Sequence, residues 1–176
     1  MLRDGVYFFG AANLYIFVAM KTATVHEIKQ ELSATKPADL VELCLRLARF
    51  KKENKELLTY LLFEAHDEHG YIESVKKEIS ALFGEINQSN LYYAKKSLRK
   101  IIRVINKYCR YSGSKQTETE IRIFFCSTLR SSPISLHRNP AITKIFETQL
   151  KKVNTVVDTL HEDLQYDYRK ELDRIS

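Results

Sequence analysis

From Thr24 to the end of the chain, apolar side chains recur three and four residues apart, the period of helices with one face turned inward. The alternation of a half-buried strand is almost absent. This spacing confines the chain to an all-α architecture. Glycine usage agrees: there are five glycines in 176 residues, two of them within the first ten. That leaves little material for tight hairpins or for the Gly-rich turns that cradle nucleotide phosphates. With 44% hydrophobic residues, the chain has enough apolar surface to build a core. The expectation is six to seven antiparallel helices, arranged as a helical bundle or a short α-solenoid-like array, in a single domain over residues 20–176.

Helix punctuation divides that span. A short helix is predicted from about Thr24 to Leu32, ended by Ser33–Pro37. A second follows, with Pro37 in its first turn, and carries Leu40, Val41, Leu43, Cys44, Leu45, Leu47, Ala48 and Phe50. It is apolar almost all round, so a central, buried position is expected. A third is predicted from an Asn54 N-cap to about His69, closed by Gly70 as a left-handed C-cap, and forms the core pair with the second. A fourth covers about Tyr71–Ile86. Asn90 caps a long fifth helix running to about Tyr111. Thr117 and Glu120 have the spacing of a capping box for a sixth over Glu118–Leu129, although Ile121–Cys126 alone also reads as a strand. Asn139 and Pro140 open one last helix, whose apolar stripe continues to Leu172.

Residues 1–19 contain an uncharged, mostly apolar run, Gly5–Ala19, too short for a confident membrane span and poorly formed as a signal peptide. They are read as an extension outside the domain, with a membrane-seeking or secretory role or a packed element of the fold as alternatives. Cys44, Cys109 and Cys126 are odd in number, far apart and set in apolar stretches. They read as reduced core residues of a cytoplasmic protein.

The most distinctive segment is Leu91–Lys115. It holds eight basic residues and no acidic one, in a chain whose overall formal charge is +6. On a helix, Leu91, Ala94, Leu98, Ile101, Ile105 and Tyr108 share one face. Lys96, Arg99, Lys100, Arg103, Lys107 and Arg110 share the other. Such a stripe, with Tyr92, Tyr93 and Tyr111 near its ends, has the ingredients for tracking a phosphate backbone and stacking bases. The plainer account, which the sequence favours, is a solvated face or one neutralised by the acidic residues Asp158, Glu162, Asp163, Asp167, Glu171 and Asp173. No zinc finger, RNP pattern or Gly-turn recognition helix accompanies the stripe.

Catalytic signatures are missing. Glu64–His69 places two histidines among three carboxylates, but the spacing is not HExxH and a third metal ligand would have to come from elsewhere. Favourable interaction of His66 and His69 with a helix C-terminus explains them as well. No serine lies in GxSxG, and there is no P-loop or dinucleotide fingerprint. No catalytic residue, metal ligand or cofactor is therefore assigned.

Residues Pro37–Ala65, two very apolar helices hinged at Lys51-Lys-Glu-Asn-Lys55, resemble the opening of small all-helical bacterial proteins of unknown function. The same residues resemble one HEAT-type helix pair. The resemblance implies a curved helical scaffold that binds a macromolecule along one surface, and it carries no functional residue with it. The expected function is a non-catalytic scaffold or adaptor whose partner is another protein, meeting the last helix or the groove beside it. The alternative is electrostatic binding of RNA or DNA through Lys96, Arg99, Lys100, Arg103, Lys107 and Arg110. Membrane contact is expected only if residues 1–19 are retained and insert.

Overall fold

The computed structural model describes residues 22–87, 90–134 and 139–175, and the expected N-terminal extension lies outside them. The described chain is all-α, with eight α-helices and one π-helical turn and no strand. It falls into two units, divided between Leu45 and Arg46.

The first unit contains α1 (Val25–Ala34) and the larger part of α2 (Pro37–Phe50). Thr24 opens α1 with a complete capping box: its hydroxyl accepts from the Glu27 amide, and the Glu27 carboxylate accepts from the Thr24 amide at 2.7 Å. Pro37 starts α2, where a missing amide hydrogen costs nothing. Neither helix contains a buried residue.

With only Tyr60 buried in the span expected to form the third helix, this overturns the expectation that the second and third helices supply the core. Apolar composition gives a helix surface to bury but does not choose its partner. In the second unit, Ile79, Leu98, Ile105, Leu129 and Val153, each fully buried, belong to one core cluster. Cys44, on α2, is likewise exposed, whereas Cys109 and Cys126 are buried and all three are free thiols.

The second unit continues with α3 (Lys52–Thr59), the π-helical turn Tyr60–Glu64, α4 (Glu68–Gly84), α5 (Leu91–Ser112), α6 (Lys115–Ser131), α7 (Pro140–Val157) and α8 (Glu162–Ile175). Helix α6 is central, packed against α4, α5, α7 and α8. Its run Ile121–Cys126 is a helix buried on nearly every side, which is why its sequence shows no polar face to give it away. Arg122 is buried within that run and fully partnered. It contacts Glu118 at 2.7 Å, Gln149 at 2.8 Å and Asn106 at 2.9 Å, so the charge is not left bare in the core.

Several helix ends differ from the sequence expectation. Asn54 lies inside α3, and its amide donates to the Leu47 carbonyl at 2.9 Å. Gly70 is not a left-handed C-cap but belongs to the first turn of α4. Asp67 caps that helix by accepting from the Gly70 amide at 2.9 Å, and a Cβ on Gly70 would come within 2.3 Å of the same carboxylate. A side chain there would push the Asp67 carboxylate out of its capping position. The left-handed cap is instead Gly113, φ +66°, at the end of α5. Ser114, rather than Thr117, caps α6, and Thr117 is buried with its hydroxyl donating to Glu68.

The last helix is two. α7 ends at Val157 and α8 begins at Glu162, with the Gln165 amide donating to the Leu160 carbonyl at 2.9 Å across the break. No proline or glycine marks the interruption. Val153, Val156, Leu160, Leu164 and Tyr168 keep helical spacing straight through it, so the pattern conceals the break.

Candidate functional site

Asn90 opens α5 by accepting from the amides of Tyr92 and Tyr93, as its position in the sequence predicts. Ala94, Leu98, Ile101, Ile105 and Cys109 are the buried residues of the helix. At 100° per residue, these five lie opposite Lys96, Arg99, Lys100, Arg103, Lys107 and Arg110, all six of which fall within a sector of roughly 100°. The packing of α5 therefore orients the basic stripe outward, over a length of roughly 21 Å at 1.5 Å rise per residue.

Lys96, Arg99, Lys100, Arg103 and Arg110 are exposed, and none forms an ion pair with a carboxylate among the described residues. The acidic C-terminal segment does not neutralise them. There, Asp158 pairs with Arg169 at 3.1 Å and Asp163 with His161 at 3.3 Å.

Lys107 is the exception. Its ammonium contacts Glu56 on α3 at 2.9 Å and lies 4.7 Å from the centre of the Tyr108 ring. Tyr111 donates to the same Glu56 carboxylate at 2.8 Å. The hydrogen bond from Lys107 holds the Glu56 carboxyl below its usual range, against the opposing effect of partial burial and with further help from Tyr111 and Lys52. Lys107 thus braces α3 against α5 and is removed from the free stripe. Its helical azimuth matches that of its neighbours, and its partner lies 51 residues away in sequence, so no local signal separates it.

Two shallow grooves run along this face. One, of about 810 Å³, is lined by Glu53, Lys100, Arg103, Val104, Asn106, Lys107 and Arg110. The other, of about 500 Å³, is lined by Tyr92, Lys95, Lys96, Arg99, Ile102 and Arg103. Lys95, which sequence reasoning placed off the stripe, joins the second groove. Tyr92 and Tyr93 are 64% and 51% exposed at the N-terminal end of the face. Tyr111, by contrast, is half-buried and engaged with Glu56.

The histidines do not converge. His66 lies in the bend before α4 and His69 in the first turn of α4, not at a helix C-terminus; the Asp67 cap starts a new helix there. Among the described residues, no three His, Cys, Asp or Glu side chains are grouped to hold a metal ion. Burial raises the buried thiols, Cys109 to about 11 and Cys126 to about 12, which disfavours the reactive thiolate. Among the described residues, no helix is long and apolar enough to cross a membrane. No protein-family model, curated protein or solved structure matches the chain.

Proposed function

We propose that this chain is a non-catalytic helical scaffold that binds nucleic acid through the outward face of α5. The observation that carries the reading is five exposed cations on one helix face, Lys96, Arg99, Lys100, Arg103 and Arg110, unpaired with any described carboxylate. Cations one helical turn apart along a straight rod match a linear polyanion better than a compact ligand. Open grooves beside them leave room for a backbone to lie along the helix.

The test is fluorescence anisotropy of a labelled random 20-mer RNA, and of the matching DNA, with the full chain across a salt series. Five cations releasing counterions from a single strand predict a log–log slope of roughly −3 to −4. Arg99→Glu combined with Lys100→Glu and Arg103→Glu is expected to remove binding while leaving the circular dichroism spectrum unchanged. Salt-insensitive binding, or none at low salt, overturns the reading.

A second reading rests on a different observation. Leu47 and Phe50 share one side of α2 and are exposed, Phe50 by 75%, and an apolar helix face of this kind suits a protein partner. Under that reading, charge reversal on α5 leaves partner binding intact.

A further inference from the structure

The nucleic-acid reading does not distinguish duplex from single strand, and the aromatic residues at the head of α5 do. Tyr92 lies four residues before Lys96 and seven before Arg99, which places it in the same angular sector as the basic stripe. Its ring lines one groove together with Lys96, Arg99 and Arg103. Tyr93 flanks it with ring centroids 5.5 Å apart and planes at 78°. The two rings meet edge to face rather than stacked, and Tyr92 stays mostly exposed.

The environment of these two rings differs from that of the other tyrosines near α5. Tyr71 donates to the Tyr108 carbonyl, Tyr108 to Glu78 and Tyr111 to Glu56. Each of those rings is tied into the fold. Tyr92 and Tyr93 are more than half exposed and make no hydrogen bond through their hydroxyls among the described residues. Keeping two adjacent aromatic rings in water is costly for a monomeric surface, and they sit where a strand held by the cations would present its next base.

We infer that α5 binds single-stranded nucleic acid, with Tyr92 as the stacking platform for an unpaired base and the arginine and lysine row as the track for the adjoining phosphates. The inference rests on the nucleic-acid reading above. A base inside a duplex keeps its faces against its neighbours and cannot reach the ring, whereas a flexible strand can place one base on Tyr92 while its phosphates follow the helix. Stacking of this kind tolerates any base, in keeping with the absence of a base-reading motif.

The test compares a 12-mer single strand, the same strand annealed to its complement, and a single strand with abasic sites, titrated with the full wild-type chain, Tyr92→Ala and Tyr92→Phe. The expected result is single-strand binding weakened on the order of 5- to 150-fold in Tyr92→Ala, the range that loss of one base–aromatic stack implies. Tyr92→Phe is expected to stay within about twofold of wild type, because the ring and not the hydroxyl does the stacking. Salt slopes should be equal in all three proteins, and the abasic strand should bind the wild type as weakly as the intact strand binds Tyr92→Ala. Salt-dependent binding with no loss in Tyr92→Ala, or duplex binding as tight as single-strand binding, overturns the stacking inference and leaves the nucleic-acid reading standing. Absence of any salt-dependent binding overturns both.

Discussion

Glu68 accepts hydrogen bonds from three hydroxyls that belong to three different segments: Tyr60 of the π-helical turn at 2.7 Å, Ser112 at the end of α5 and Thr117 in α6. One carboxylate thereby fastens the corner where those elements meet α4. Burial pushes its carboxyl upward, but the hydrogen bonds from Ser112, Thr117 and Tyr60 together outweigh burial and hold it below the ordinary glutamate value. A group whose pKa is lower in the folded chain than in the unfolded one stabilises the fold when ionised. That contribution is complete above the unfolded value, ~4.3, and fades as pH falls through the folded value. Glu56, also held low, behaves in the same sense. Thermal unfolding of the wild type is therefore expected to hold steady from neutral pH to roughly pH 5 and to decline below it. Glu68→Gln should lose about 1–3 kcal/mol at neutral pH, since an amide cannot accept from all three hydroxyls without turning a donor toward one of them. Its decline in acid should be correspondingly shallower. An equally steep decline in Glu68→Gln would show that the acid transition originates elsewhere.

At the scale of helices, composition and position separate. α2 carries a larger share of apolar residues than α5, yet none of its side chains is buried, while α5 places Leu98, Ile101 and Ile105 at essentially zero exposure. Leu98→Ala is expected to cost about 2–5 kcal/mol, the transfer of a leucine side chain plus the cavity left behind. Leu47→Ala, at a site 59% exposed, should stay within about 0.5 kcal/mol. Chemical denaturation of both variants decides the matter, and a large loss at Leu47 would mean that α2 is buried in solution by something that covers it. The same contrast shows what the sequence made legible. Helix content, the Asn90 and Asn139 caps, Pro37 and Pro140 in first turns, and the two-sided character of α5 follow from local spacing, because capping and amphipathicity are local physics. Which helix is central was not legible: α2 and α6 are both apolar around much of their circumference, and only tertiary pairing places α6 in the middle. The α7–α8 break escaped for a related reason, since its stripe stays in register while the backbone turns. Within the candidate site, the stripe and its orientation were readable, and the long-range sequestration of Lys107 by Glu56 was not.

At the scale of the whole molecule, the outward face of α5 is a standing electrostatic cost. Lys96 and Lys100, and Arg99 and Arg103, are like-charged pairs four residues apart, each destabilising an isolated helix by about 0.2–0.5 kcal/mol at low salt. Additional pairs three apart, Lys96 with Arg99 and Lys100 with Arg103, add to it, and the described carboxylates leave the exposed members unneutralised. The burial of Leu98, Ile101, Ile105 and Cys109 on the other face holds the helix in place against that repulsion. Two consequences separate this arrangement from an ordinary solvated surface. Raising salt should stabilise the chain by screening the stripe, with a rise in Tm of about 2–4 °C between low and physiological ionic strength. Arg99→Gln with Arg103→Gln should raise the low-salt Tm by a similar amount and flatten its salt dependence, because the repelling pairs are gone while the buried face is untouched. The same double variant should bind nucleic acid more weakly and with a smaller salt slope, by about 0.7 for each cation removed. Under the proposed nucleic-acid reading, stability and binding are expected to move in opposite directions on the same two side chains. If the double variant instead unfolds earlier, these arginines contribute to the fold itself and the stripe is a structural surface rather than an open one.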